Sequence, residues 1–296
     1  MLNDLTRRKL LESGLAVAAG ALVGGALGRT WPLEAAEAAP AEKSRIHLGL
    51  VTYMVGAQMD LPTLIDACEK SGMEGVELRT SHKHGVEPAL DADGRAKVKA
   101  TFAKTKVRLV MLGSTCEFHS PDPAVVKKNI EQTKEFVKLA ADVGSLGVKV
   151  RPNGLPKEVP VEKTLRQIGE SIAQCGEFAK EKGIVIAVEM HGAPSDAASM
   201  AKIMEACKHP SVGLCWNSNG GDAKGGSVKE SFELVKKWIV HCHVRDLTKK
   251  DYPWKELMTL LKGINYVGYT MLETSTKDDP VEFLKAQRAA WDALVQ

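Results

Sequence analysis

No CxxC pair occurs in the 296 residues, and only six cysteines are scattered through them. The first absence excludes a structural zinc site built on paired thiolates, and the second a disulfide scaffold. Charge of one sign is missing too. The 40 Lys+Arg are balanced by 37 Asp+Glu, for a formal charge of +3 with no long basic run, which excludes a general nucleic-acid binder. No glycine-rich dinucleotide loop follows the first apolar run, where Thr52-Tyr53-Met54-Val55-Gly56 stands instead, so an open doubly wound sheet is disfavoured. What remains is a chain with 44% hydrophobic and 26% charged residues, which folds rather than stays disordered. It is long enough for one large α/β domain or two smaller ones.

The N-terminus differs from the rest. Thr6-Arg7-Arg8-Lys9-Leu10-Leu11 precedes a nearly uncharged run from Gly14 to Gly28, followed by Ala36-Glu37-Ala38. A charged start, a short apolar stretch and small residues are the anatomy of a secretory signal. The paired arginines resemble a twin-arginine signal, which predicts export to the periplasm after folding and after any metal is loaded. The run is short and glycine-rich for a retained membrane anchor, so residues 1–38 are expected to be cleaved and the membrane met only in transit. Residues 39–44 read as a linker and 45–296 as the folded body. All six cysteines (Cys68, Cys116, Cys175, Cys207, Cys215 and Cys242) lie in that body, mostly within apolar patterns expected to bury free thiols.

From residue 45 onward, short apolar runs alternate with longer amphipathic ones. Strands are predicted over Ile46–Met54, Gly75–Thr80, Val107–Ser114, Leu146–Arg151, Ile184–His191, Val212–Asn217, Ile239–Asp246 and Tyr266–Thr274. Helical spacing fills each interval and the C-terminal segment Pro280–Leu294. Gly72, Gly144 and Gly183 stand where C-terminal caps belong, and Asp122-Pro123 and Asp279-Pro280 read as N-caps followed by a first-turn proline. Eight strand–helix units in succession predict a parallel sheet that closes, a (β/α)8 TIM barrel forming a single domain.

Costly side chains recur at the predicted C-terminal strand ends, where such barrels carry their chemistry. Glu189 and His191 are two apart on the fifth strand, and His241, His243 and Arg245 are spaced by two on the seventh. Asn217 ends the sixth, Glu273 nearly ends the eighth, and Glu77 and Arg79 close the second. A carboxylate at the end of an apolar strand costs several kcal/mol unless it is paired or holds a cation. Glu77 could pair with Arg79 or Lys149. Glu189, His243 and Glu273 converge on one rim from three strands, and with an amide or water oxygen they make a hard-to-borderline divalent site. Arg151 and Asn153 at the fourth strand end suit sugar hydroxyls or an anion. Glu117, His119, His82, His84 and Glu87 fall in loops over the predicted barrel mouth. Trp216 and Trp254 either stack on a sugar or pack.

The segments IAVEMHG (Ile186–Gly192), VGLCWNSN (Val212–Asn219), VHCHVRDL (Val240–Leu247) and MLETS (Met271–Ser275) together resemble the sugar phosphate isomerase/epimerase family, whose fold is the xylose-isomerase-like TIM barrel. The resemblance runs from about Arg45 to the C-terminus. It implies one divalent metal ion, Mn²⁺ first with Mg²⁺, Co²⁺ or Zn²⁺ as alternatives, held by Glu189, Asn217, His243 and Glu273. Asn217 departs from the family pattern, in which an Asp follows the Trp, so the site loses one negative charge and metal affinity should fall.

In the epimerases of that family the two metal-bound glutamates exchange the proton, which makes Glu189 and Glu273 the implied acid/base pair. The expected reaction abstracts a proton next to a carbonyl, through a metal-stabilised enediolate. His191, Arg245, Glu77, Arg151 and His119 are the expected substrate-binding residues. Export favours a free or oxidised sugar over a sugar phosphate. A keto-glycoside lyase or hydratase on the same site is the alternative enzyme, and a non-catalytic sugar-binding protein the alternative without turnover. The expected partner is a small sugar, with no nucleic acid and with homo-oligomerisation open.

Overall fold

The computed structural model describes residues 46–296. The signal and linker assigned to residues 1–44 lie outside the described residues. Eight strands run in chain order: β1 (Ile46–Met54), β2 (Gly75–Arg79), β3 (Arg108–Glu117), β4 (Gly147–Arg151), β5 (Val185–Glu189), β6 (Val212–Asn217), β7 (Ile239–Val244) and β8 (Gly268–Thr274). Every neighbouring pair is parallel and β8 pairs with β1, so the sheet closes into a barrel. The helices that follow each strand are α1 (Leu61–Ser71), α2 (Ala92–Phe102), α3 (Pro123–Val143), α4 (Val161–Glu181), α5 (Ala197–Cys207), α6 (Lys229–Val235), α7 (Trp254–Gly263) and α8 (Pro280–Val295).

The helix ends have local causes. Asp122 and Asp279 accept hydrogen bonds from first-turn amides and are followed by proline, whose missing N–H is not needed there. Gly72 (φ 76°) and Gly144 (φ 79°) close α1 and α3 in the left-handed conformation that glycine adopts without a Cβ clash.

Three strands stop earlier than their sequence pattern suggests, β2 by the single residue Thr80, while β3 runs on to Glu117, which is therefore a strand-end residue and not part of the loop. β5 ends at Glu189 and the chain turns through Gly192 (φ 77°), while β7 ends at Val244. The paired reading of Glu189 with His191, and of His243 with Arg245, on one continued strand face is therefore corrected: His191 and Arg245 belong to the loops.

Two apolar layers hold the barrel. The larger lies between sheet and helices and includes Leu48, Leu50, Leu78, Phe118, Ile172, Trp216 and Leu257. The smaller fills the lower lumen with Val51, Val110, Met111, Val185, Ala187, Cys215, Val240 and Met271. Glycines make room for its two thioethers. A Cβ on Gly49 would lie 2.5 Å from Met271 Sδ, and one on Gly147 would lie 2.5 Å from Met111 Sδ. All six cysteines are free and buried. No helix among the described residues is long and apolar enough to cross a membrane.

Candidate active site

The two-residue period of the strands carries the lumen from apolar to charged within a single step. On β5 the inward series is Val185, Ala187 and then Glu189; on β8 it passes from Met271 to Glu273. Glu189, His243 and Glu273 each direct one ligand-type atom to a common point, all within 4.8 Å of one another. His243 Nδ1 lies 3.5 Å from Glu189 Oε1 and 3.3 Å from Glu273 Oε2. This nitrogen is buried and has no hydrogen-bond partner. The other ring nitrogen is committed, since His243 Nε2 sits 2.9 Å from Glu77 Oε2. A neutral imidazole that donates Nε2–H to a carboxylate presents its Nδ1 lone pair to the far side, the arrangement in which histidine ligates metals. One imidazole nitrogen and two carboxylates therefore fit a divalent ion of hard or borderline character.

Glu77 has a different place from the one expected. It is fully buried beneath the rim, where Oε2 accepts from both His241 Nε2 and His243 Nε2 at 2.9 Å. It pairs with neither Arg79 nor Lys149, and it holds the histidines instead of meeting substrate. Burial disfavours its charge, but the His243 and His241 imidazoles facing it drive its pKa well below the ordinary carboxylate value. His243 shows the converse. Burial disfavours its charge, yet Cys215, Glu77 and Glu273 raise its pKa well above the usual histidine value in the ion-free protein. Binding a metal at Nδ1 then displaces a proton.

Glu189 and Glu273 are held unequally. Glu189 Oε2 accepts from Lys149 Nζ at 2.8 Å, and Oε1 accepts from Asn217 Nδ2 at 3.0 Å. Burial raises the Glu189 pKa, but Lys149 and His243 outweigh it and the result lies below the ordinary range. Glu273 is 21% exposed, with His243 as its close charged neighbour. Asn217 thus spends its amide on Glu189. Lys149 is buried as well; desolvation works against its charge, and Glu189, Glu77 and Glu273 hold its pKa above the ordinary lysine value.

A second polar group rims the mouth beyond β3 and β4. Glu117 Oε1 accepts from Arg151 and, at 2.8 Å, from Asn153 Nδ2, while Asn153 Oδ1 lies 2.9 Å from His191 Nδ1. Asn153 has φ 62° and forms an isolated bridge to Gly192, which ties this cluster to the turn after Glu189. His119 packs on Gly154, with its buried Nδ1 unpartnered and 3.8 Å from Glu117 Oε2. Arg245 does not join either group. Its Nε donates to the Ser218 carbonyl at 2.8 Å, Nη1 lies 3.2 Å from Asp251, and the guanidinium covers Tyr252.

The remaining sequence candidates are structural. His84 donates to the Arg79 carbonyl and accepts from Val86 N–H, His82 meets the Thr52 hydroxyl, and Glu87 accepts from Thr80 and Ser81 within their own loop. Trp216 and Trp254 are buried packing residues whose indoles donate to Tyr252 and to the Lys249 carbonyl. A second potential ligand group, Cys215, His241 and His243, lies fully buried below the first and shares His243 with it. Burial pushes the Cys215 thiol up to about 11. The Lys149–Glu189 pair escaped the sequence reading, although a lysine alternating with Arg151 on an inward strand face was a usable signal.

The model of the xylose isomerase-like TIM barrel family matches residues 65–294. The chain belongs to that family. Among solved structures, this xylose isomerase-like barrel is similar to the apo form of 3-keto-D-glucoside 4-epimerase from E. coli, with 13% identity, a TM-score of 0.69, and coverage of 84% of this chain and 99% of that one. It is also similar to L-ribulose 3-epimerase, with 15% identity, a TM-score of 0.73, and coverage of 85% and 95%. A third is the IolI protein with a bound zinc atom, with 18% identity, a TM-score of 0.71, and coverage of 84% and 98%. Identities this low speak for the shared fold. Comparison with curated protein sequences gives no match.

Proposed function

We propose that this barrel is a metal-dependent isomerase or epimerase of a free or oxidised sugar. The observation that carries the reading is the buried, unpartnered His243 Nδ1 between Glu189 and Glu273, backed by the Glu77 carboxylate that fixes the ring. Glu189, His243 and Glu273 would hold the ion, with Asn217 braced against Glu189. When bound, a divalent ion supplies Lewis-acid charge for a carbonyl and its neighbouring hydroxyl. Glu273, reachable from the mouth and hydrogen-bonded to nothing else among the described residues, takes the proton next to that carbonyl and returns it to the neighbouring carbon in an isomerisation; in an epimerisation the opposite face would take its proton from solvent. Glu189 keeps its charge, because Lys149 and Asn217 occupy its oxygens, and stabilises the bound state electrostatically. Arg151, Asn153, His191 and His119 offer donors and acceptors to sugar hydroxyls along one side of the mouth. The known substrates of the epimerase neighbours support the sugar class.

The Arg7-Arg8 segment supports an exported, periplasmic enzyme, where sugars without a phosphate are the available substrates. A keto-glycoside lyase remains the second reading, because elimination needs only one well-placed base and Glu273 is the carboxylate not tied to a lysine or an amide. Metal content decides first. About one divalent ion per chain in the wild type, lost in His243→Ala, is the expected result, followed by turnover of a keto-sugar. No bound ion in either protein after incubation with excess Mn²⁺ would sink the reading and move a sugar-binding protein to first place.

A further inference from the structure

The site carries a permanent cation of its own. Lys149 rises from the middle of β4, one inward step below Arg151, and is fully enclosed with its ammonium 2.8 Å from Glu189 Oε2. The other Glu189 oxygen faces His243 Nδ1 at 3.5 Å and takes the Asn217 amide at 3.0 Å. An ion held by Glu189 must therefore share that carboxylate with an ammonium. Two cations on one buried carboxylate repel each other strongly, because little water is present to screen them. The ion-free site, by contrast, already has its buried charges paired: Glu189 with Lys149, and Glu77 with the two imidazoles. A buried lysine is otherwise a costly choice for this position, where neighbouring strands use alanine (Ala187) and glycine (Gly113) in direct register with it.

We propose that Lys149 is an internal competitor of the divalent ion for Glu189, so that the ion binds weakly and exchangeably while the ion-free protein stays folded and charge-satisfied. This rests on the metal-dependent reading of the Glu189–His243–Glu273 site. It assigns Lys149 a positioning and charge-setting role; it is not placed as a catalytic residue.

The test is Mn²⁺ affinity, by titration calorimetry or equilibrium dialysis, in wild type and Lys149→Met, with thermal unfolding of both in EDTA and in excess Mn²⁺. Removal of the ammonium should tighten Mn²⁺ binding by on the order of tenfold or more. It should also lower the melting temperature in EDTA, where Glu189 loses its counter-ion, and Mn²⁺ should restore it. The sign discriminates, because a merely structural lysine would weaken metal binding on removal. If Lys149→Met does not fold, Lys149→Gln removes the charge, keeps a donor to Glu189, and reads the same shift. Mn²⁺ binding that is unchanged or weaker in the variant, with the wild type still binding, overturns this proposal alone. Mn²⁺ binding to neither protein overturns the metal reading and this proposal with it.

Discussion

The lower and upper halves of the barrel lumen are built by the same eight strands and obey opposite rules. Below, Met111 and Met271 fit against Gly147 and Gly49, and Val185, Ala187 and Val240 complete a layer with no charge. Above, Glu77, Lys149, Glu189, His241, His243 and Glu273 form one continuous set of buried or nearly buried charges and imidazoles. The lower half is a problem of shape, where a single added methyl group meets backbone. The upper half is a problem of charge, where every group depends on its partner's ionisation. The boundary is crossed within two residues on β5, from Ala187 to Glu189, and on β8, from Met271 to Glu273. Stability and chemistry can thus be perturbed separately.

Glu273→Gln should have the largest effect of all, and only on the upper half. Loss of the proposed base should lower turnover by about 10²–10⁴-fold with unfolding little changed; full retention of turnover would remove Glu273 from the chemistry. Glu77→Gln should reach both halves, since it takes the anion from beneath two imidazoles. Metal affinity should drop by roughly 10–100-fold, and urea unfolding should shift to lower midpoint.

Gly147→Ala should act on the lower half alone. Its new Cβ would lie 2.5 Å from Met111 Sδ and 2.6 Å from the Val185 carbonyl. A loss of about 1–3 kcal/mol in denaturant unfolding is expected, with metal content per folded chain unchanged. A parallel loss of metal would mean the halves are coupled through β4, which also carries Lys149.

The smallest effect lies in the loop after β6. Burial raises the Asp222 carboxyl from 3.8 to about 7, against the lowering effect of the Asn219 N–H that it accepts. The folded chain therefore binds this proton more tightly than the unfolded chain. Its contribution to stability is full below about pH 4 and is lost as pH rises towards 7. Asp222→Asn should come nearest to wild type in melting temperature near pH 4 and gain on it as pH rises to 8. Equal melting at both pH values would place Asp222 in a wetter setting.

Much of this barrel was legible as one-dimensional pattern. β1 and β6 match their predicted bounds residue for residue, and α1 begins at an Asp N-cap and ends at a left-handed glycine, because apolar periodicity and caps are local causes. The convergence of Glu189, His243 and Glu273 was legible for the same reason: closing eight parallel strands brings their C-terminal ends to one rim. Other places were not. Arg245 and His191 have the spacing of strand residues, but their strands end first, and a backbone turn redirects them to Ser218 and Asn153. Glu77 reads as a rim carboxylate until the shear of the barrel sets it one level lower, under the histidines.

The sequence by itself determined the repeating unit, the number of strands, and which residue types face the lumen, since each follows from spacing within about twenty residues. Tertiary structure decided which of those residues meet. Lys149 and Glu189 are 40 positions apart, His241 and Glu77 164 apart. Their pairing depends on strand stagger and on how far a long side chain reaches along the barrel axis, quantities that no local pattern encodes.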